Sequence, residues 1–390
     1  MSGFSEWIDQ ILSDLEKNHL KRSFRSMDSP SGIEIEFQNK KVLNFSSNDY
    51  LGLASEPFLK EAAHAAVEKW GTGSGAARLI CGNLRIHEAL EAETAKLKGT
   101  ESALSFSSGF AVPMGVIPAL VGKGDTVILD KLSHACLIDG ARLSGAEVRV
   151  FPHQNLEYLE KLLKEAQGKT LIVTESVFSM DGDLASLKEI VELKEKYGAW
   201  LMVDEAHATG IFGNRGGGLI ESLGLSSAVE VQMGTYSKAL GSSGGYVAGS
   251  RRLIDFLLNK ARSFVFSTAN SPVTSAVSLA AIQWLQTKEG ILRRNKLQKN
   301  IEVFAQKLSQ IQKSDLFQNH STPIFPWMIG DENEALKVSQ QILDEGFLTV
   351  AIRYPTVPPQ KARLRISLSA AHTEAQMDLL TQTMKRVGCV

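Results

Sequence analysis

Several short segments of this 390-residue sequence carry side chains whose types and spacing could do chemistry. Asp204-Glu205-Ala206-His207 follows the apolar run Leu201–Val203. An acid and a histidine at the carboxyl end of a parallel strand lie where α/β folds place ligand sites. Taken alone, a helix-capping aspartate and a hydrogen-bonded core histidine explain them equally well. Gly234-Thr235-Tyr236-Ser237-Lys238 follows a strand expected at Val229–Met233 and leads into a glycine-rich turn at Gly241–Gly245. Hydroxyls and free backbone N–H groups can hold a phosphate. A lysine beside them can act as a Schiff-base nucleophile if its surroundings keep the amine deprotonated, although most lysines are simply solvated. Three further clusters resemble these: Ser107-Ser108-Gly109-Phe110, Ser133-His134-Ala135-Cys136, and Glu175 with Ser179 and Asp181-Gly182.

Each cluster could be coincidence; together they describe a pyridoxal 5′-phosphate (PLP) site. That cofactor needs a lysine for its aldehyde, an acid to keep its pyridine nitrogen protonated, and donors for its phosphate. Lys238, Asp204, and the group Thr235, Ser237 and Ser108–Gly109 supply all three.

The elements that must position these residues are legible in outline. Short apolar runs at Thr126–Leu129, Val148–Phe151, Leu171–Thr174 and Leu201–Val203 alternate with helical stretches, which predicts strands buried on both faces of a mostly parallel sheet. One helix is expected from Leu184 to Tyr197, with Leu184, Leu187, Ile190, Val191 and Leu193 as its buried stripe and Gly198 as its stop. Ile8, Ile11, Leu12 and Leu15 recur at helical spacing between Phe4 and His19. Ile33–Phe37 and Lys41–Asn44 read as a strand pair around Gln38–Asn39. Thr373 with Gln376 is a capping box opening a last helix that turns Met377, Leu380, Met384 and Val387 inward. The fold class expected is α/β: a large domain with a mostly parallel sheet over 45–285, preceded by a helix and β segment over 1–44 and followed by a small α+β domain over 286–390.

Composition limits the partners. The net charge is −1, with 43% hydrophobic and 22% charged residues. A protein that neutralises nucleic-acid phosphates would carry a basic excess. Charged residues interrupt every hydrophobic stretch before it reaches membrane-spanning length, and the start lacks the pattern of a signal peptide. A cytoplasmic protein is expected. Cys81, Cys136 and Cys389 form no CxxC, so neither a disulfide framework nor a metal site is expected.

The sequence resembles the α-oxoamine synthases, enzymes of PLP fold type I with an aspartate-aminotransferase-like architecture. The motifs are Asn44-Phe45-Ser46-Ser47-Asn48-Asp49-Tyr50-Leu51-Gly52-Leu53, the block from Gly71-Thr72-Gly73-Ser74-Gly75 to His87, Asp204-Glu205-Ala206-His207, Gly234-Thr235 to Lys238, and Leu364-Arg365-Ile366-Ser367. The first of these and Ile352-Arg353-Tyr354-Pro355-Thr356-Val357-Pro358 look most like the branch that condenses L-alanine with a pimeloyl thioester. The resemblance implies that Lys238 bonds the cofactor and then takes the alanine Cα proton, and that Asp204 pairs with the pyridinium nitrogen. It has His207 and Ser179 hydrogen-bonding the phenolic oxygen and His134 stacking on the ring. Ser108, Gly109, Phe110, Thr235 and Ser237 would hold the cofactor, with Thr268 reaching its phosphate from a partner subunit. Arg365, helped by Asn48, would take the amino-acid carboxylate, a geometry suited to a planar guanidinium. Arg22 and Thr356 match substrate-contacting positions, Arg22 facing the distal carboxylate of the acyl chain. It further implies a homodimer with a shared site and a thioester borne by CoA or an acyl carrier protein. Ala76-Ala77 departs from a commoner Gly-Ser-like pair, and Tyr354 from a common proline, both expected near the acyl entrance.

Other classes fit less well. A nicotinamide dehydrogenase needs a glycine fingerprint directly after the first strand and an acid about twenty residues later. An inert relative would have lost Lys238, Asp204 or Arg365. Aminotransferases share the lysine and aspartate but do not call for the Gly71–His87 or Ile352–Pro358 segments. The cluster Arg293, Arg294, Lys296 and Lys299 reads as a solvated helix face. His19, His64 and His320 receive no role, His87 and His153 read as structural, and His372 as a cap for the last helix.

Overall fold

The computed structural model describes residues 3–18, 20–312 and 317–388; Cys389 and His19 lie outside them. Strands β1 (Glu34–Phe37) and β2 (Lys40–Asn44) pair as a hairpin whose turn residues Gln38 and Asn39 both have positive φ, 53° and 59°. Then come β3 (Ser102–Phe106), β4 (Thr126–Asp130), β5 (Glu147–Phe151), β6 (Thr170–Glu175), β7 (Trp200–Asp204), β8 (Val231–Thr235) and β9 (Gly245–Gly249). These seven form one sheet in the order β3-β9-β8-β7-β6-β4-β5, antiparallel only where β9 meets its two neighbours.

Side chains alternate across this sheet, as a strand requires. Ile128, Ile172, Leu201 and Val203 join a core on one face, whereas Val127, Leu129, Leu171, Val173 and Met202 join a second core on the other. β5 is the exception: it is an edge strand and largely exposed.

The remaining strands, β10 (Ile324–Gly330), β11 (Phe347–Leu348), β12 (Val350–Ile352) and β13 (Ala362–Ser367), build two small sheets. β10 and β12 flank β13, while β11 runs parallel to β2 and so ties the two ends of the chain together. The helix Glu374–Arg386 carries the expected capping box and buries Met377, Leu380 and Met384; Val387 caps its end half-buried.

The structure corrects some boundaries. The helix expected from Leu184 begins at Leu187, because Leu184 instead bridges Val177 across a tight hairpin. Leu193 in its stripe is half-buried. The strand expected at Val229–Met233 is shifted to Val231–Thr235, which places Thr235 at the strand end. The N-terminal helix spans Gly3–Lys17 with no residue buried. Among the described residues no helix is long and apolar enough to cross a membrane.

Candidate active site

The parallel strands deliver their carboxyl ends to one place. β7 ends on Asp204, in register with Glu175 at the end of β6. β8 runs through Thr235 to Ser237 and Lys238, and β4 leads to His134, which caps the helix Ala135–Ser144. β3 leads to Ser108, Gly109 and Phe110 before the helix Ala111–Leu120. These residues, with His207 and Cys136, line a cavity of about 270 Å³. Nine residues to which the resemblance gives a role thus meet in one pocket: Ser108, Gly109, Phe110, His134, Asp204, His207, Thr235, Ser237 and Lys238.

Burial sets the electrostatics. It raises the Asp204 carboxyl, an effect the Lys238 charge opposes, and it lifts Glu175 to about 8 with help from the Asp204 charge. It lowers the Lys238 amine to about 8 against the attraction of Asp204 and Glu175. His207 is pushed well down, by burial first and then by Lys238, so its ring is neutral. The Lys238 Nζ lies 2.7 Å from His207 Nε2, and His207 Nδ1 lies 2.7 Å from the Tyr50 hydroxyl. The Tyr50 hydroxyl donates to Asn48 Oδ1 at 3.1 Å and accepts from Arg365 Nη2 at 3.2 Å. The Nδ1–H tautomer of His207 satisfies this whole chain, with Lys238 donating to Nε2. Arg365 also donates through Nε to the Ser179 carbonyl at 2.6 Å and through Nη1 to Ser367 Oγ at 2.8 Å. Two guanidinium N–H groups remain for a carboxylate.

Next to this pocket lies a larger cavity of about 820 Å³ that shares His134 with it. Ile138, Phe178, Met180, Met328 and Val357 give it an apolar wall, and Arg22, Lys131 and Lys361 give it cations. Arg22 Nη2 donates to Thr356 Oγ1 at 3.4 Å, so these two residues, far apart in sequence, lie together on the cavity wall. Tyr354 lines the same cavity.

Other expected residues fall elsewhere. Ser179 lines the larger cavity, not the smaller one. Thr268 is exposed and bridges Ala77, outside both cavities of its own chain. Ala76 and Ala77 accordingly sit on that bridge and not on the acyl cavity. His87 is structural as read: its ring accepts from the Leu84 N–H and meets the Asn270 carbonyl. His372 is not the cap of the last helix, which is Thr373; it is buried, stacks on Phe45 at 4.1 Å and accepts from the Ser369 N–H. Sequence reasoning gave no role to Tyr50, the node joining Lys238 to Arg365 through His207. Its position inside the Asn44–Leu53 motif was the available signal. Glu175 was singled out without a role, and it accepts the His134 N–H at 2.6 Å.

The donor set fits PLP. The buried Asp204 carboxyl suits a protonated heteroaromatic nitrogen, and a lysine whose amine is lowered to about 8 is the nucleophile an aldehyde needs. Gly109 lets the backbone sit close to Thr235: a Cβ there would lie 3.3 Å from the Thr235 Cβ. The Thr235 and Ser237 hydroxyls are 2.8 Å apart, and the Ser237 N–H points at Thr235 Oγ1.

Comparison with known proteins agrees with this reading. The model of the class I and II aminotransferase family matches residues 40–384. A solved serine palmitoyltransferase from S. paucimobilis, with a bound PLP–myriocin aldimine, superposes with TM-score 0.92 at 29% identity over the full length of both chains. The 8-amino-7-oxononanoate synthase of Francisella tularensis superposes with TM-score 0.76 at 29% identity, covering 89% of this chain and 96% of that one. Fold and pocket define a PLP-dependent transferase of fold type I. Among curated sequences, the 8-amino-7-oxononanoate synthase of Thermoanaerobacter pseudethanolicus is 45% identical over 98% of this chain and 97% of its own. That of Geobacter sulfurreducens is 43% identical over 97% and 96%. The chain belongs to the class I and II aminotransferase family and, within it, to the 8-amino-7-oxononanoate synthases.

Proposed function

We propose that the protein condenses L-alanine with a pimeloyl thioester to give 8-amino-7-oxononanoate, carbon dioxide and free thiol, a step of biotin biosynthesis. The observation that carries this is the meeting of two cavities at His134: a small, charged, lysine-bearing pocket and a larger one with an apolar wall and with Arg22 and Thr356 in its lining. PLP, when bound, supplies an aldehyde for an amino group and an electron-poor ring that accommodates a carbanion at Cα.

The chain's own residues do the rest. Lys238 would hold the cofactor covalently, and its amine, once free, would take the alanine Cα proton. Asp204 keeps a positive charge on the ring nitrogen, and the buried Glu175 fixes the loop of His134 against one side of the pocket. His207 orients Lys238, and Ser179, from the adjoining cavity, would serve the cofactor's phenolic oxygen. Ser108, Gly109, Phe110, Thr235 and Ser237 hold the cofactor. Arg365, oriented by Tyr50 and with Asn48 on the same hydroxyl, binds the alanine carboxylate through its two free N–H groups. Arg22 and Thr356 fix the distal carboxylate of the acyl chain, and the apolar wall excludes water from the new carbon–carbon bond. The charges of Arg22 and Arg25 both act on Arg353, and this cationic group beside the cavity suits an anionic carrier, CoA or an acyl carrier protein.

The site works as part of a homodimer in this reading, with Thr268 of one copy facing the cofactor phosphate of the other. Exposure of Phe266, Ile80 and Phe110 on the chain alone supports a covered surface there. The working compartment is the cytoplasm.

Carboxyl-labelled L-alanine tests the reaction type. Labelled carbon dioxide should be released only when pimeloyl-CoA or a pimeloyl-carrier protein is added. Amino transfer to an oxo acid without release of the label would contradict the proposal.

A further inference from the structure

Close to the larger cavity, two loops that carry functional side chains converge on one imidazole. His153, just past the end of β5, places Nδ1 3.0 Å and 3.1 Å from the two carboxylate oxygens of Asp130 and Nε2 2.7 Å from Asp183 Oδ2. Its ring meets Phe178 edge-on, with centroids 4.4 Å apart and planes at 84°.

Each acid belongs to a different part of the site. Asp130 ends β4 and accepts the Leu132 N–H at 2.8 Å, fixing the turn that presents His134. Asp183 lies in the hairpin that carries Ser179, and its carbonyl accepts the Phe178 N–H at 3.0 Å. That hairpin is the one gripped by Arg365 through the Ser179 carbonyl and by Arg363 through Asp181. Gln154 reinforces the junction: its N–H donates to Asp130 and its side-chain amide to Asp183, although its backbone is held at φ 57°. Strained non-glycine backbone of this kind persists only where surrounding contacts fix it.

We propose that His153 is a positioning residue: it clamps the His134 turn to the Ser179 hairpin and thereby sets the spacing between the cofactor pocket and Arg365. With both ring nitrogens facing carboxylates, both must donate, so the ring is the imidazolium. Burial opposes that charge, but the bonds to Asp130 and Asp183 prevail and hold the group protonated to about pH 10. The proposal rests on the roles assigned above to His134, Ser179 and Arg365.

The test uses PLP-loaded enzyme carrying His153→Gln, with Asp183→Asn as a second variant in case the first folds poorly and Arg365→Lys as a control. The readouts are the circular dichroism of the bound cofactor, the dissociation constant of L-alanine by spectral titration, and the melting temperature. A lost clamp should weaken L-alanine binding by roughly 10- to 100-fold and alter the cofactor dichroism, because misplacement of about 1 Å has effects of that order. The double variant His153→Gln/Asp183→Asn should be no worse than the worse single one. Unchanged L-alanine binding and dichroism in both clamp variants, with Arg365→Lys impaired, would overturn the clamp, whatever the melting temperature does. Unimpaired L-alanine binding in Arg365→Lys would overturn the site assignment beneath it.

Discussion

At the residue scale the account turns on Lys238. Its environment lowers the amine to about 8, chiefly by burial, so a fraction of it is free base at neutral pH without any neighbouring base. His207 is a poor base, since burial disfavours its protonated form and both its ring nitrogens are already engaged, by Lys238 and by Tyr50. Exchange of the L-alanine Cα proton in deuterated water isolates the step. Lys238→Ala should slow it by on the order of 10²–10⁴, the usual contribution of a positioned general base. Borohydride should fix PLP to the parent enzyme and not to this variant. Proton exchange at the parental rate in Lys238→Ala would move the base elsewhere.

At the scale of elements, strand ends do the positioning, and one buried ion pair holds the central strand end. Lys98 and Glu205 pair with neither side chain exposed. Glu205 also accepts the Ile220 N–H at 2.9 Å, and Lys98 reaches the Gly217 carbonyl. Glu205 adjoins Asp204 in sequence, so this pair anchors the acid of the cofactor pocket. Lys98→Met leaves a buried carboxylate without its cation and should cost about 3–5 kcal/mol in a denaturation experiment. Adding Glu205→Gln should recover part of the loss, and equal stability of the parent and Lys98→Met would show that the pair is not needed. None of this was legible beforehand, because a lysine on a helix gives no sign of the carboxylate it will meet more than a hundred residues later. The strands themselves were legible: runs such as Leu171–Thr174 are apolar on both faces and bounded by polar clusters. The site residues at their ends followed, since β-strands of a parallel sheet present carboxyl ends together. Leu184 was misplaced because its apolar spacing continues the helical stripe, whereas a tertiary contact with Val177 decides its conformation. Arg22 with Thr356, and Thr268, came only from the family resemblance; no local pattern marks a long-range pair or a residue that serves a neighbouring copy.

At the scale of the whole molecule, the small sheets join the chain's ends and bring Arg365 on β13 against the large sheet's hairpin, so the proposed substrate site lies between the large sheet and the β10-β13-β12 sheet. The His153 junction spans the same region and makes stability depend on pH. Asp130 and Asp183 are the acids that face its ring, with Phe178 on the edge. Its folded value, about 10, lies above its ordinary value of 6.5, so the stabilisation is complete below about pH 6.5 and is lost as pH rises toward 10. The difference in unfolding free energy between the parent and His153→Gln should therefore be largest in mild acid and shrink steadily to pH 10. A gap that widened with pH would refute the charged assignment.

The central claim concerns the substrate pair, and thiol release by the purified, PLP-loaded enzyme tests it most directly. The assay compares L-alanine with pimeloyl-CoA, glycine with acetyl-CoA, glycine with succinyl-CoA, and L-serine with palmitoyl-CoA. Release with L-alanine and pimeloyl-CoA, and little with the other pairs, is the predicted result. Faster release with any of the other three pairs would contradict it.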